Sequence, residues 1–189
     1  MKKILMAAAA LTLLITIAIP ITSCNKKDKM DIVIDLDSIV IKPYVNFGTK
    51  LAKVEKYMAE NYADYSDENP NSLDYIELEG GALWGKYYKK GTHEISFYFI
   101  NANGKDLTMV SYDFYSPIPF EAVMAKLERN GFKNMGEVDF DDNSDLSYLF
   151  LSPDESIEAM PFYWEKDGGS WALTFQPTND FDLQHIVTK

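Results

Sequence analysis

The side chains in this sequence that could carry chemistry are few, apart from its acids. His93 and His185 are the only histidines. The first follows the Gly91-Thr92 turn, the second sits in the C-terminal tail, and neither has the neighbours of a nucleophile–base–acid triad. A Gly-x-Ser-x-Gly elbow, a His-x-x-x-His zinc pair and a glycine-rich phosphate loop are all absent from the sequence. Both histidines therefore read as surface side chains. The acids are harder to set aside. Glu77 and Glu79 lie two apart in a strand-like run, hence on one face. That places them within the about 5–10 Å that acid-based glycan hydrolysis requires between its two carboxyls. The simpler account is a solvated strand face opposite Ile76 and Leu78. Asp139, Asp141, Asn143 and Asp145 alternate like the opening ligands of a calcium loop. Ser144 stands where that loop needs its turn glycine, and Phe150 where it needs a bidentate glutamate. An acidic hairpin turn accounts for the run, so no metal site and no cofactor is expected.

The aromatics are more suggestive. Trp84, Tyr87 and Tyr88 share one strand-like run, and Phe162, Tyr163, Trp164 and Trp171 flank one turn. Alternation along a strand sends successive members to opposite faces. If helices cover one face, some rings must project from the other, where rings beside acids suit sugar stacking or a protein contact. Trp84, Tyr88, Trp164 and Trp171 are the binding candidates on this reading. The competing account is that strands favour aromatics and that these rings are simply covered.

The elements that position these residues follow from periodicity. Lys50 to Tyr62 places Leu51, Val54, Met58 and Tyr62 three or four apart, the pattern of an amphipathic helix, with Thr49 placed to cap it. Asp64 to Ser72 reads as a loop. Strands are expected at 73–79, 82–89, 94–100 and 107–114, separated by short turns that favour an antiparallel meander. Ser116-Pro117-Ile118-Pro119 opens a second helix with Phe120, Val123, Met124 and Leu127 as its stripe, stopped at Asn130-Gly131. Further strands are expected at 132–140, 146–151, 157–165 and 170–175. Leu51, Val54, Met58 and Asn61 match Phe120, Val123, Leu127 and Asn130 at a constant offset of 69 residues. This suggests an α+β fold: an antiparallel sheet built from two helix-plus-meander half-repeats, with both helices on one face.

The N-terminus carries an address. Lys2 and Lys3 precede an uncharged apolar run from Ile4 to Ile19, which is the layout of a secretory signal and short of a spanning helix. Ile21-Thr22-Ser23-Cys24 resembles the lipobox of bacterial lipoproteins. That resemblance implies cleavage before Cys24, lipid on its sulfur and acylation of the freed amine, which together hold a protein stably on a membrane. Asn25 in the next position resembles outer-membrane sorting. The expected organisation is a signal peptide at 1–23, a lipidated cysteine and tether at 24–31, one globular domain at 32–177 and a tail at 178–189. The run 32–41, rich in β-branched residues, reads as a first strand or a strand with a break.

Cys24 is the only cysteine, so the domain is expected to have no disulfide and no thiolate metal site. Removing Lys2 and Lys3 with the signal leaves 16 basic residues against 29 acidic ones, a net charge of −13. That balance disfavours nucleic acid, whose phosphates need Lys and Arg, and Arg129 is the only arginine.

With its lipobox, its helix from Phe47-Gly48-Thr49 through Val54, Tyr57 and Met58, and its aromatic strands, the chain resembles the uncharacterised envelope lipoproteins of Bacteroidetes-type bacteria. Its two-copy pattern is similar to the TATA-binding-protein-like and β-lactamase-inhibitor-like folds. The resemblance implies a fold and no catalytic residue. The function read from the sequence is a non-enzymatic, lipid-anchored envelope module that binds a protein or a glycan. An acid-based glycan hydrolase and a structural envelope-maintenance lipoprotein are the alternatives.

Overall fold

The computed structural model describes residues 42–78, 81–114, 119–139, 144–165 and 169–179. Cys24, the tether and the run 32–41 lie outside these residues, as do Glu79, Asp141, Asn143 and His185.

The fold is α+β, an antiparallel sheet of nine strands with two helices among the described residues. In chain order the elements are α1 (Leu51–Asn61), β1 (Ser66–Asp67), β2 (Asp74–Leu78), β3 (Gly81–Lys90), β4 (His93–Phe99) and β5 (Leu107–Phe114). There follow α2 (Phe120–Arg129), β6 (Lys133–Glu137), β7 (Leu146–Leu151), β8 (Ile157–Trp164) and β9 (Ser170–Pro177). Across the sheet the order is β1-β3-β4-β5-β9-β8-β7-β6, with β2 also on β3 beside β1. The two meanders therefore meet through their last strands, β5 and β9, which pair Val110 with Phe175 and Phe114 with Trp171.

Alternation divides the sheet's side chains into two sets. Ile95, Phe97 and Phe99 of β4, Val110, Tyr112 and Phe114 of β5, and Trp171, Leu173 and Phe175 of β9 pack into one buried cluster. Val54 and Met58 of α1 and Val123 and Leu127 of α2 belong to the same cluster. All four helix residues are at most 2% exposed, which is the burial expected of an apolar stripe at helical spacing. The intervening strand residues form two smaller clusters on the second face. Leu78, Leu83, Tyr98 and Met109 make one, and Val138, Leu149, Met160 and Phe162 make the other.

Thr49 does not cap α1. Lys50 is the N-cap, and no side chain caps it. The Leu51 amide instead donates to the Gly104 carbonyl at 2.7 Å, and Thr49 Oγ1 is hydrogen-bonded to the Tyr44 hydroxyl at 3.0 Å. A tertiary carbonyl thus does what a capping oxygen would do. Gly104 is required there on two counts: its φ is +65°, and an added Cβ would lie 2.7 Å from Leu51 Cβ. The C-terminal ends of the two helices are alike. Asn61 Nδ2 donates to the Tyr57 carbonyl and Asn130 Nδ2 to the Lys126 carbonyl, each at 2.9 Å. Gly131, at φ +82°, then turns the chain out of α2.

The segment leading into α1 is held by phenols. Tyr62 Oη accepts from the Lys42 amide and donates to the Lys42 carbonyl, both at 3.1 Å. The Tyr44 amide donates to Tyr112 Oη at 2.8 Å. Burial pushes Tyr62 and Tyr112 above the usual phenol range, so both stay neutral at physiological pH.

β1 falls within the stretch 64–72 that reads as a loop in the sequence. The two-residue strand exists because the chain around it is sewn to β3. Asn69 Nδ2 donates to the Gly85 carbonyl at 2.9 Å, and Asn69 Oδ1 accepts from the Tyr87 amide at 3.2 Å. One amide side chain therefore replaces a backbone partner where the edge is broken between β1 and β2. Lys86, 1% exposed, lies beneath this break. Its ammonium meets Asp67 Oδ2 at 2.7 Å and the Asn69 carbonyl at 2.9 Å.

Candidate functional site

The four aromatic candidates separate by strand parity. Tyr88 and Trp171 are in the main cluster, 6% and 1% exposed. Trp171 stacks on Phe114 with ring centroids 4.6 Å apart, and Tyr88 meets Phe97 edge-on at 5.9 Å. They are core rings, held there because their strand positions match those of Phe114 and Ile95 in the sheet register. Trp164 lies on the second face, half-buried, stacked 6.1 Å from Phe162. Trp84 is half-buried near the β2 edge of the sheet, where it faces Tyr75 across the β2–β3 pair.

Tyr75 is absent from the sequence candidates and is the most exposed large apolar residue among those described, at 61%. Its ring meets Trp84 at 5.8 Å, close to perpendicular. Edge-to-face contact of this kind holds two rings in a fixed mutual orientation. β2 pairs only with β3, so no described strand covers its other edge. The available signal was an isolated tyrosine between Asp74 and Glu77, where an edge strand otherwise carries charge.

Of the acids singled out in the sequence, Glu77, Asp139 and Asp145 fall within the described residues. Glu77 is exposed and faces Ala82. Asp145 is occupied by the backbone: its Oδ2 accepts from the Glu165 amide at 2.6 Å. Among the described residues no group of three or more His, Cys, Asp or Glu could hold a metal ion. His93 packs edge-on against Phe114 at 4.9 Å.

The register brings together two carboxylates that are remote in sequence. Glu94 of β4 lies directly opposite Asp113 of β5, on the second face of the sheet. Ser96 Oγ donates to Glu94 at 3.1 Å, and Ser111 Oγ donates to Asp113 at 2.9 Å. Lys89 of β3 reaches Glu94 at 3.0 Å. The hydroxyl row continues on β9, where Thr174 Oγ1 lies 3.4 Å from Ser111 Oγ. Ser96, Ser111 and Thr174 are all buried, and they run between the two smaller apolar clusters. Further along the same face Glu158 is fully buried. It accepts from Gln176 Nε2 at 3.0 Å and from the Asn179 amide at 2.9 Å.

No family model, curated protein or solved structure matches this chain. No helix among the described residues is long and apolar enough to cross a membrane.

Proposed function

We propose that this domain is a lipid-anchored envelope binding module, and that it contacts a protein or a glycan through the Tyr75–Trp84 pair. The observation that carries this reading is the 61% exposure of Tyr75, held edge-on against Trp84. A large ring left in water costs hydrophobic free energy that folding could have recovered. A ring pre-oriented by a neighbour loses little further entropy on contact, which is the property of a binding anchor. Trp164 is a second, less exposed contact on the other face.

The anchor is assigned to Cys24 by its lipobox, with the signal peptide at 1–23 removed and the protein carried to the outer membrane. Cys24→Ala is expected to abolish incorporation of labelled palmitate and to release the protein from the membrane fraction. Label persisting on the variant would contradict the lipoprotein assignment.

The architecture belongs to the same proposal: two half-repeats, each a helix followed by an antiparallel meander, with both helices on one face. Three features support it. Apart from β2, which is also on β3, four strands lie on each side of the β5–β9 junction. The buried residues of both helices share one cluster. The Asn61 and Asn130 bonds recur at the 69-residue offset.

The hydrolase alternative rests on Glu94 and Asp113, which face one another, rather than on Glu77. A panel of purified envelope glycans, together with envelope protein extract, separates the two readings when retention and product are both followed. The binding module retains a panel member unchanged, and Tyr75→Ala or Trp84→Ala weakens retention at least tenfold while the melting midpoint moves little. Product formation that disappears with Asp113→Asn would replace this reading by the enzyme.

A further inference from the structure

We propose that Glu94 and Asp113, opposed across β4 and β5, form a charge switch built into the second face of the sheet. The argument begins with register. Antiparallel residues directly opposite one another bring their side chains to about 4.5–5.5 Å at Cβ, and like charges in that relation repel. Among the described residues the cation beside the pair is Lys89, and it is placed asymmetrically. Lys89 reaches Glu94 at 3.0 Å and also lies 3.9 Å from Glu68. The hydrogen-bond donor given to Asp113 is a neutral hydroxyl, that of Ser111. Lys89 thus compensates Glu94, and Asp113 is the member equipped to take the proton.

Among the described residues, the rest of the surroundings of Asp113 carry little compensating charge. On β9 it faces Ala172, with Thr174 beside it; neither titrates. From β4 come Glu94 and the buried Tyr98, and from β3 Lys89 and Tyr87. Burial holds both phenols above their ordinary range, so neither supplies charge at physiological pH. His93 packs against Phe114, one residue along from Asp113 and hence on the other face. Asp113 is half-buried by surface area; its desolvation, the largest effect, joined by the Glu94 charge, pushes it up to about 7, against the lowering by the Ser111 hydrogen bond and, least, by Lys89.

The consequence for stability has a definite sign. Asp113 binds its proton more tightly in the folded chain than in the unfolded one. The stability it contributes is therefore complete below the ordinary carboxylate range, near about 4, and is lost as pH rises through about 7. Above that value Glu94 and Asp113 are both charged and face one another across β4 and β5.

The test is a titration of the side-chain carboxyl carbons of the whole protein by NMR. Asp113 is expected to show its main inflection at about 7, well above an ordinary aspartate. In Glu94→Gln the Asp113 inflection should move down, and in Ser111→Ala it should move up. An Asp113 inflection near about 4 in the unaltered protein would overturn the proposal by itself, whether or not the variants fold. A high inflection that Glu94→Gln leaves in place would also overturn it, since burial alone would then hold the proton. The melting midpoint gives a second readout. The difference between Asp113→Asn and the unaltered protein should widen in favour of the variant between pH 5 and 8, and a constant difference would contradict the switch.

Discussion

Replacing Asp67 by Ala is expected to destabilise the domain by about 3 kcal/mol, although Asp67 itself is one-third exposed. The loss arises at its partner. Lys86 Nζ is 2.7 Å from Asp67 Oδ2, and the lysine side chain is 1% exposed. Without the carboxylate, a buried ammonium keeps the Asn69 carbonyl and the face of the Tyr88 ring, 5.9 Å away. Neither supplies a full counter-charge. Leaving one member of a buried pair in place is the costly outcome, whereas removing both is often close to neutral. Lys86→Met in the Asp67→Ala background should therefore recover most of the lost stability. Urea denaturation of the single and double variants checks this. Equal midpoints for Asp67→Ala and the unaltered protein would mean that Lys86 does not depend on Asp67.

Trp171→Ala is expected to cost about 3–5 kcal/mol, the range for removing a fully buried aromatic. The ring is 1% exposed, stacks on Phe114 at 4.6 Å, and sits in the cluster that also contains Val54, Met58, Val123 and Leu127. A cavity there would loosen the β5–β9 seam, the junction of the two meanders. Thermal unfolding monitored by tryptophan emission and by backbone circular dichroism should show the loss together in both signals. A midpoint shift of only a degree or two would contradict a core position for Trp171.

These two residues show where reading the sequence succeeds and where it stops. Runs of β-branched and aromatic residues between Gly, Asn and Asp turns mark eight of the nine strands to within a few residues, and the three-and-four spacing marks both helices. Such signals are local. β1 carries none, because its pairing is made by the Asn69 amide against β3. Parity links Trp84, Lys86 and Tyr88 to one face of β3, yet it does not say how much of that face is covered. Tyr88 and Trp171 consequently read as binding candidates on the same footing as Trp84 and Trp164. A lysine sharing the parity of two large aromatics was the clue to a buried ion pair, since a solvated lysine belongs on the other set. The Glu94–Asp113 pair depends on register. The connection between β4 and β5 is long for a hairpin, and a shift at Tyr98–Phe99 follows from it. No two-residue turn fixes the alignment there, so the sequence leaves the opposition of the two carboxylates unspecified.

The most direct test of the binding-module reading is a binding isotherm with the panel component that the protein retains. It compares the unaltered protein with Tyr75→Ala and Trp171→Phe, each accompanied by its melting curve. The account predicts at least a tenfold loss of affinity for Tyr75→Ala at an almost unchanged melting midpoint. It also predicts little change in affinity for Trp171→Phe, whose ring is replaced within the core. Full affinity retained by Tyr75→Ala would contradict the account, as would affinity lost by Trp171→Phe while the fold stays intact.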